Sequence, residues 1–254
     1  SGALVVGTRR GLYHFDQGQI SLDPSGYREK VLAMQWAPDG SLLLRSDNRL
    51  VRINANKVQA LGEWPRLNAF LCDQSGSLWA ATHSGLFRAS RMDAAWDSIS
   101  DQAYDFLFQD RQGHIWACCK NQLDSLSTPV SLQLADDPNL LVTSMAETPN
   151  GLALASSAGL FLVRDQTVQR GFREKFLISV FNDRAGHLWF GENANGLFQL
   201  KPGNIRNYRA DRGLSSNNIN GLFVEPERIW VVSPTGIDVI DQNGQIQPFP
   251  PPHN

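Results

Sequence analysis

Short apolar runs separated by polar turns recur along the whole chain. Between positions 177 and 200, an alternating segment at 178–181 precedes a polar turn, a second run at 187–191 and a third run at 196–200. A fourth run is predicted at 204–208. Runs of this length, bounded by Gly, Asn and Asp, are typical of antiparallel strands joined by tight turns. Since no repeat contains a sustained 3.6-residue apolar period, we expect helices to be nearly absent.

The same unit returns at a nearly constant interval. A Gly-Leu pair or its equivalent marks each copy, and the anchors are Leu12, Leu50, Leu86, Leu123, Leu160, Leu197 and Ile237, at a mean spacing of about 37.5 residues. Self-similarity at this period indicates a repeat architecture. Four short antiparallel strands per repeat match a propeller blade. We therefore predict an all-β fold, a β-propeller with seven blades of mostly four antiparallel strands.

The repeats account for nearly all of the chain. Residues 1–254 are predicted to form a single β-propeller domain, with approximate blades at 1–30, 31–66, 67–102, 103–140, 141–175, 176–216 and 217–254. The first blade begins at 3–8 with the counterpart of a second strand, so it lacks its own inner strand. We predict either a three-stranded blade there or a strand borrowed from elsewhere. The gap also indicates that the chain was trimmed from a longer polypeptide.

Bulk composition narrows the function classes. Hydrophobic residues make up 42% of the chain and charged residues 19%, with a formal net charge of −2. This balance argues against a nucleic-acid binder that relies on overall charge. No apolar run approaches the roughly 20 residues needed to cross a bilayer, and no signal peptide is visible. We expect no nucleic-acid partner and no direct membrane insertion of this segment.

The residues that most often carry chemistry look architectural here. Cys72, Cys118 and Cys119 have no metal-site spacing, and we expect buried free thiols inside strands. His114 and His187 occupy the same turn position in different repeats. The recurring Asp and Gly residues of these turns fit turn formation, because Asp bonds local backbone and Gly permits positive φ. We expect no catalytic residue, no metal and no cofactor.

The sequence motifs of the repeats are more specific than those expected of propellers in general. The segment 213–219 reads GLSSNNI, Asp183 is followed by the run 186–191, GHLWFG, and the segment 11–16 reads GLYHFD. Together these motifs resemble the two-component regulator propeller repeat, and the resemblance covers essentially the entire chain. The second, fourth and fifth copies depart from the pattern at Leu43, at Cys118 and Cys119, and at Ala153.

The resemblance implies a role in bacterial signalling. Such repeats form extracytoplasmic sensor regions of hybrid histidine kinases and some diguanylate cyclases. It therefore implies a non-catalytic sensor or ligand-recognition propeller in the periplasm, with the other domains of the same receptor as partners. No output domain is present in these 254 residues. Ligand binding would then bias the receptor by a population shift.

Loops held by a rigid scaffold are where binding residues concentrate. We expect the turns between second and third strands to share one face with the connections between blades. The candidates for ligand binding are Arg9, Arg10, Arg28, Trp64, Arg66, His83, Lys120, Arg173, Asn193 and Asn195. The Arg side chains suit a small anionic ligand, and Trp64, which we expect to be at least partly exposed, suits an oligosaccharide. The alternative is a solvated rim in which Arg and Glu of 26–30 and 171–175 pair locally.

Two other function classes stay open. A propeller enzyme, a lyase or hydrolase, would need clustered acid and base groups, and His83 is the one His on the predicted loop face. A protein–protein interaction scaffold, including a homodimer, would use a face or an edge of the propeller. The proline-rich segment 248–252 is either an extended interdomain linker or a disordered tail.

Overall fold

The chain folds as a seven-bladed β-propeller, as predicted. The computed structural model describes residues 4–16, 19–201, 204–225 and 227–249. Six of its sheets have four antiparallel strands and the first has three. Within the described residues the one helical element is a single 3-10 turn, Ala210–Arg212. The predicted scarcity of helices is therefore confirmed. Ala3 and positions 250–252 lie outside the described residues.

The chain divides into two compact units. The first runs up to Cys119 and includes Ser125–Thr128, and the second covers Lys120–Asp124 and the chain from Pro129 onward. The first three sheets lie in the first unit. Their strands are β1 (Leu4–Thr8), β2 (Gly11–Asp16) and β3 (Gln19–Leu22); β4 (Ala33–Trp36), β5 (Leu42–Ser46), β6 (Arg49–Asn54) and β7 (Lys57–Glu63); β8 (Leu67–Cys72), β9 (Leu78–Thr82), β10 (Gly85–Ala89) and β11 (Asp97–Ser100).

The remaining four sheets follow the same order along the chain. Their strands are β12 (Phe106–Gln109), β13 (Ile115–Cys119), β14 (Gln122–Ser125) and β15 (Ser131–Gln133); β16 (Val142–Thr148), β17 (Gly151–Ser156), β18 (Gly159–Arg164) and β19 (Thr167–Gly171); β20 (Leu177–Asn182), β21 (Leu188–Glu192), β22 (Gly196–Lys201) and β23 (Asn204–Tyr208); β24 (Gly221–Val224), β25 (Arg228–Ser233), β26 (Gly236–Asp241) and β27 (Ile246–Pro248). The fourth strand predicted at 204–208 is thus present. Whether all seven sheets act as one domain stays a prediction.

Second strands are buried on both faces because successive side chains point to opposite sides of a sheet. In β9, Leu78 and Ala80 pack with Leu43 of the second sheet. Trp79 and Ala81 of the same strand join a cluster with residues of the fourth sheet. All five residues of β9 are buried, as are all five of β21. The apolar and aromatic positions of the second strand therefore hold successive sheets together, as the sequence predicted.

The anchor leucines sit at the start of the third strands. Leu12, Leu50, Leu86, Leu123, Leu160 and Leu197 are all at most 1% exposed. The seventh anchor, Ile237, is half-buried. In contrast, the outermost strands expose most of their residues, as β7 and β23 show.

The first sheet has the order β1–β2–β3, so no described strand covers the inner edge of β1. This confirms the three-stranded first blade expected from the sequence. All five residues of β1 are only half-buried, whereas the matching strands β9 and β21 are fully buried.

Candidate functional site

The turn between first and second strands in the third sheet is organised by one buried carboxylate. Asp73 Oδ1 accepts hydrogen bonds from Ser75 N at 2.9 Å, Ser75 Oγ at 2.5 Å and Ser77 N at 2.9 Å. Asp73 Oδ2 accepts a bond from the Trp79 indole Nε1 at 2.9 Å. Both oxygens are therefore engaged, and the Asp fixes the turn and the indole of the next strand. We call this arrangement the Asp–Trp clasp.

The clasp repeats in the fourth and sixth sheets. Trp116 Nε1 donates to Asp110 Oδ2 at 3.0 Å, and Trp189 Nε1 donates to Asp183 Oδ2 at 2.9 Å. In these two turns a His is added, since His114 Nδ1 and His187 Nδ1 each lie 3.1 Å from the same carboxylate oxygen. The interpretation of the turn Asp residues and of His114 and His187 as architectural is thus confirmed.

Hydrogen bonding lowers the pKa of two of these carboxyls. For Asp73 and Asp110, burial is the largest single influence and raises the pKa. The hydrogen bonds from Ser75 and Trp79 to Asp73, and from Trp116 and His114 to Asp110, together outweigh it. Both groups are therefore ionised at neutral pH and serve as acceptors rather than as acids.

The three side-chain types of a Ser-His-Asp triad meet in the first sheet, but in an order that does not make a nucleophile. His14 Nε2 and Ser25 Oγ both bond to Asp23, on different oxygens. The carboxylate therefore lies between Ser and His, whereas a nucleophilic Ser needs the His beside it. The bonds from Ser25 and His14 also hold the pKa of Asp23 below its ordinary value, although burial alone would raise it.

The cysteines lie in strands, as expected. Cys72 is the last residue of β8 and is buried, and burial raises the pKa of its thiol to about 11. Cys118 is buried and Cys119 is half-buried in β13. At neutral pH the Cys72 sulfur is a thiol, which is a poor nucleophile.

In the first unit, turns between second and third strands lie beside the connections that precede first strands. His83 N donates to the carbonyl of Arg66 at 3.1 Å, and Val31 N donates to the carbonyl of Thr8 at 2.8 Å. The predicted candidates at this end are exposed, namely Arg9, Arg10, Arg28, Arg66 and His83.

The local pairing expected of a solvated rim occurs for some of these charges. Arg49 bonds Glu29, and Lys30 Nζ lies 3.0 Å from Asp47 Oδ1. Among the described residues Arg28 has no such partner. The rim is therefore only partly neutralised by its own side chains.

Trp64 does not lie where the sequence suggested. It was expected to be at least partly exposed, but it is 9% exposed and packs edge-on against Trp96 with ring centroids 4.9 Å apart. Gly62 makes room for it, because a β-carbon there would lie 2.4 Å from Trp64 Cη2. Trp64 is a core residue, and its place among ligand-binding candidates is withdrawn.

The second unit contains the other four candidates. Asn193 N donates to the carbonyl of Phe176 at 2.9 Å, which places the turn after β21 beside the connection before β20. Glu192, 4% exposed, accepts a bond from Asn195 Nδ2 at 2.7 Å and lies 3.1 Å from Lys175 Nζ. Asn195 therefore supports the turn. Lys120, Arg173 and Asn193 are exposed.

The GLSS motif is also structural. Ser215 N and Oγ donate to the two carboxylate oxygens of Asp238, at 2.8 and 2.7 Å, and Asp238 is fully buried. Leu214 and Ile219 are buried in the cluster that joins the sixth and seventh sheets. The segment that carries the GLSS motif is thus a connection packed onto the next sheet.

A cleft of the second unit lies between the sixth and seventh sheets, at the strand ends opposite the turns that follow β21 and β25. It has a volume of about 410 Å³. Its apolar side includes Trp189 and Tyr208, whose rings stack with centroids 5.5 Å apart. None of the lining residues is among the predicted ligand-binding candidates, because the turns that supply Asp183 and His187 were interpreted as purely architectural.

Most carboxylates at this cleft have hydrogen-bond or ion-pair partners among the described residues, whereas several of its cations do not. The carboxylates of Asp183, Asp241 and Glu225 are engaged, the first by the clasp, the second by backbone N–H groups and the third by Arg228. In the described part of the chain, the side chains of the lining cations Arg184, Lys201 and Arg206 make no hydrogen bond or ion pair, and the same holds for one lining carboxylate, Glu227. Free cationic donors therefore outnumber free carboxylates at the rim.

Neither a metal-binding cluster nor a membrane-spanning helix occurs among the described residues. No group of three or more His, Cys, Asp or Glu side chains is placed to hold a metal ion. No helix in this part of the chain is long and apolar enough to cross a membrane.

Comparison with solved structures finds close matches of fold. The extracellular domain of BT4673 from B. thetaiotaomicron, described as a one-component or a hybrid two-component system, matches 94% of this chain with a TM-score of 0.78 and 18% identity. The likeness is one of fold. The chain spans 36% of that domain. No family model and no curated protein matches the sequence.

Propellers of other kinds also match. Virginiamycin B lyase from Staphylococcus aureus matches 87% of this chain over 84% of its own length, with a TM-score of 0.71 and 11% identity. YCF48 bound to D1 peptide matches 98% of this chain over 84% of its own length, with a TM-score of 0.65 and 12% identity. The fold is thus shared by extracellular domains of signalling systems, by a lyase and by a peptide-bound protein.

Proposed function

We propose that this chain is a non-catalytic ligand-recognition propeller of a bacterial signal receptor, of the hybrid histidine kinase or diguanylate cyclase type, and that it lies in the periplasm. Support comes from the motifs of the repeats and from the likeness to the extracellular domain of BT4673. Ligand binding would favour one arrangement of the receptor and so bias an output domain.

The observation that carries this proposal is the cleft between the sixth and seventh sheets. It combines an apolar wall at Trp189 and Tyr208 with cationic donors at Lys201 and Arg206 that nothing in the described chain satisfies. Guanidinium and ammonium groups form strong charge-assisted hydrogen bonds with carboxylates and sulfates. The ligand class that fits is a small acidic molecule, either an organic acid or an acidic oligosaccharide.

A thermal-shift and calorimetric screen of organic acids and acidic oligosaccharides tests the proposal. A hit should lose at least ~10-fold in affinity in Lys201→Ala and in Arg206→Ala, because each removes a charge-assisted bond. The control is Arg164→Ala, an exposed cation at the end of β18 that neither lines the cleft nor belongs to the predicted binding residues, and it should bind as the parent does. A ligand whose affinity is unchanged in both cleft variants would contradict the cleft as the ligand-binding site.

The loop end of each unit is a further candidate site. Arg28 and Arg173 are exposed and have no ion-pair partner among the described residues, whereas their neighbours Lys30 and Lys175 are paired. The ligand-binding role of the exposed candidates Arg9, Arg10, Arg28, Arg66, His83, Lys120, Arg173 and Asn193 stays a proposal. A hit abolished by Arg28→Ala, but not by Lys201→Ala, would select the loop end of the first unit, and the same result for Arg173→Ala would select that of the second.

The lyase among the matching structures keeps an enzyme as the competing class. His83 is exposed at the loop end of the first unit. Metal analysis that found one equivalent of a tightly bound ion, lost in His83→Ala, would favour the enzyme and contradict the non-catalytic proposal.

A further inference from the structure

The two walls of the cleft between the sixth and seventh sheets differ in chemistry. On the sixth sheet, Trp189 pairs with Gln199 and Gln199 pairs with Arg206, so their side chains lie side by side on one face. Lys201 lies on the same face, two residues beyond Gln199. All four line the cleft. We call Gln199, Lys201 and Arg206 the donor wall, because an amide, an ammonium and a guanidinium all donate hydrogen bonds.

The opposite wall is made of hydrocarbon. On the seventh sheet, Val224 pairs with Ile229 and Ile229 pairs with Ile240, and all three line the cleft. Ile229 and Ile240 are buried, and Val224 is half-buried against the same apolar cluster. We call these three residues the hydrocarbon wall. Since their side chains cannot form hydrogen bonds, a ligand has to present an apolar surface to them.

Gln199 is the buried member of the donor wall. It is 4% exposed, and its Oε1 accepts a hydrogen bond from Tyr208 Oη at 3.3 Å. Its Nε2 has no hydrogen-bond partner among the described residues, and Gln199 lines the cleft. A buried donor without a partner costs free energy, so the site favours a ligand that brings an acceptor to this depth. Lys201 and Arg206 are more exposed and lie at the rim.

Arg206 is held in place at the rim by a turn of the seventh sheet. A β-carbon at Gly244 would lie 3.2 Å from Arg206 Nη1 and 2.9 Å from Tyr208 Oη. A β-carbon at Gly76, in a turn with the same backbone hydrogen bond, would meet nothing within 4 Å. The turn at 241–245 therefore packs against the guanidinium, and less side-chain entropy is lost when Arg206 binds an anion.

We infer that the cleft binds an aryl carboxylic acid with a carbonyl oxygen between its ring and its carboxylate. The carboxylate bonds Arg206 and Lys201 at the rim, the carbonyl oxygen accepts from Gln199 Nε2, and the ring lies against the hydrocarbon wall. A cleft of about 410 Å³ is within the range of small-molecule sites. The inference rests on the proposed function, because it takes this cleft as the ligand site and narrows the ligand class.

An acidic oligosaccharide would satisfy these walls less well. Hydroxyl groups project all around a sugar ring, so some of them would be buried against the hydrocarbon wall without partners. Sugar hydroxyls also donate hydrogen bonds, whereas the carboxylates of Asp183, Glu225 and Asp241 are already engaged. An aryl acid of the inferred kind places only C–H groups on the hydrocarbon wall, and its oxygens only accept.

Four probes test the inference on the whole chain. Benzoylformate has the ring, the carbonyl and the carboxylate, pyruvate has a methyl group in place of the ring, and phenylacetate has a methylene in place of the carbonyl. Digalacturonate represents the acidic oligosaccharides. In calorimetry we expect benzoylformate to bind at least ~10-fold more tightly than pyruvate or digalacturonate, because neither of them has an aryl ring. It should bind about 5-fold more tightly than phenylacetate, which lacks the acceptor for Gln199.

Two substitutions of Gln199 separate its bond from the rest of the cleft. Gln199→Met removes the Nε2 donor and keeps the side-chain length, so benzoylformate should bind about 5-fold more weakly while phenylacetate stays within ~2-fold. Gln199→Glu keeps an acceptor for Tyr208 Oη but puts a negative charge beside the ligand, so both acids should lose at least ~10-fold. Arg206→Ala should weaken every probe that binds, and Arg164→Ala should weaken none. Unchanged unfolding temperatures check that each variant folds.

The outcomes distinguish this inference from the proposal on which it rests. Benzoylformate binding no tighter than pyruvate would overturn the inference, as would equal losses for benzoylformate and phenylacetate in Gln199→Met at an unchanged unfolding temperature. Digalacturonate that binds more tightly than benzoylformate, and loses affinity in Arg206→Ala, would also overturn it but would support the cleft as the ligand site. If neither Arg206→Ala nor Lys201→Ala changed the affinity of any probe, the inference and the proposed ligand site would fail together.

Discussion

Trp189 and Trp230 occupy the same place in the second strands of neighbouring sheets, yet their indole N–H groups have different fates. Trp189 Nε1 donates to Asp183 at 2.9 Å, while Trp230 Nε1 is buried without a hydrogen-bond partner. The sixth sheet has the five-residue turn with its Asp, and the seventh replaces it by a tighter turn in which Glu225 N donates to the carbonyl of Arg228 at 2.9 Å. The comparison separates two roles of this Trp. Its ring packs between sheets in both cases, whereas its indole N–H is hydrogen-bonded only where the preceding turn carries an Asp.

The clasp therefore belongs to some sheets and not to others. The third, fourth and sixth sheets have it, while the second has Ala37 where Asp73 stands in the third and Leu43 where Trp79 stands. A buried N–H left unpaired costs free energy, and a bond to a charged acceptor contributes more than a neutral one. The Asp–Trp hydrogen bond should therefore stabilise the clasp sheets against unfolding, and the other sheets lack this contribution.

The largest expected effect follows from removing the carboxylate. Asp73→Ala eliminates four hydrogen bonds and leaves the buried Trp79 N–H and the Ser75 and Ser77 amides without acceptors. We expect a loss of about 3 kcal/mol in the free energy of unfolding. Chemical denaturation followed by Trp fluorescence measures it.

The matched control for this change is Asp211→Ala. The Asp211 side chain is 70% exposed and lies 3.9 Å from Arg209 at the surface, so we expect a change within ~0.5 kcal/mol. Equal losses in the two variants would mean that the clasp contributes nothing beyond an ordinary surface charge.

The comparison of the two kinds of Trp is sharpened by Trp79→Phe and Trp230→Phe. Both indoles are buried and both have an Arg over the ring, Arg88 at 5.0 Å and Arg228 at 5.2 Å. These shared contributions cancel, and the difference isolates the N–H bond to Asp73. We expect Trp79→Phe to cost about 1–2 kcal/mol more than Trp230→Phe in thermal and chemical unfolding. A larger cost for Trp230→Phe would contradict the role assigned to the clasp.

Acid should act on the clasp sheets through their carboxyls. The pKa values of Asp73 and Asp110 are lower in the folded chain than their ordinary value of 3.8, so the native state binds fewer protons than the unfolded state in acid. Their contribution to stability is complete above pH ~4 to 5 and is lost as the pH falls through the folded-state pKa. Asp110→Asn should therefore show a shallower decline of unfolding temperature between pH 6 and pH 3 than the parent. A steeper decline in the variant would contradict the lowered pKa of Asp110 in the folded chain.

Local sequence patterns predicted most of the fold, because the signals for each strand and turn lie within a few consecutive residues of the repeat. The strand Asn204–Tyr208, the three-stranded first sheet and the turn role of Asp183 all follow from short segments. The burial of Trp64 did not follow, since its pocket depends on Gly62 and on Trp96, which lies 32 positions away in the connection before β11. Sequence neighbours alone favoured a loop residue beside Pro65.

The cleft between the sixth and seventh sheets was missed for a related reason. Lys201 and Arg206 flank a turn between third and fourth strands, and nothing in their local sequence distinguishes them from solvated turn charges. Their interest arises from what surrounds them, because the carboxylates of Asp183 and Asp241 are already engaged. A functional meaning for these two cations therefore depends on packing between repeats, which the local sequence does not report.

The smallest expected effect concerns the His that accompanies the clasp in two sheets. His187 Nδ1 lies 3.1 Å from Asp183, with 25% of its side chain exposed, and the third sheet has Ser77 at this position with its clasp intact. His187→Ser should therefore cost less than ~1 kcal/mol in the free energy of unfolding. Because His187 N bonds Asp183 through the backbone at 2.8 Å, the substitution keeps that bond. A loss as large as that of Asp73→Ala would instead make the His an essential part of the clasp and divide the clasp sheets into two kinds.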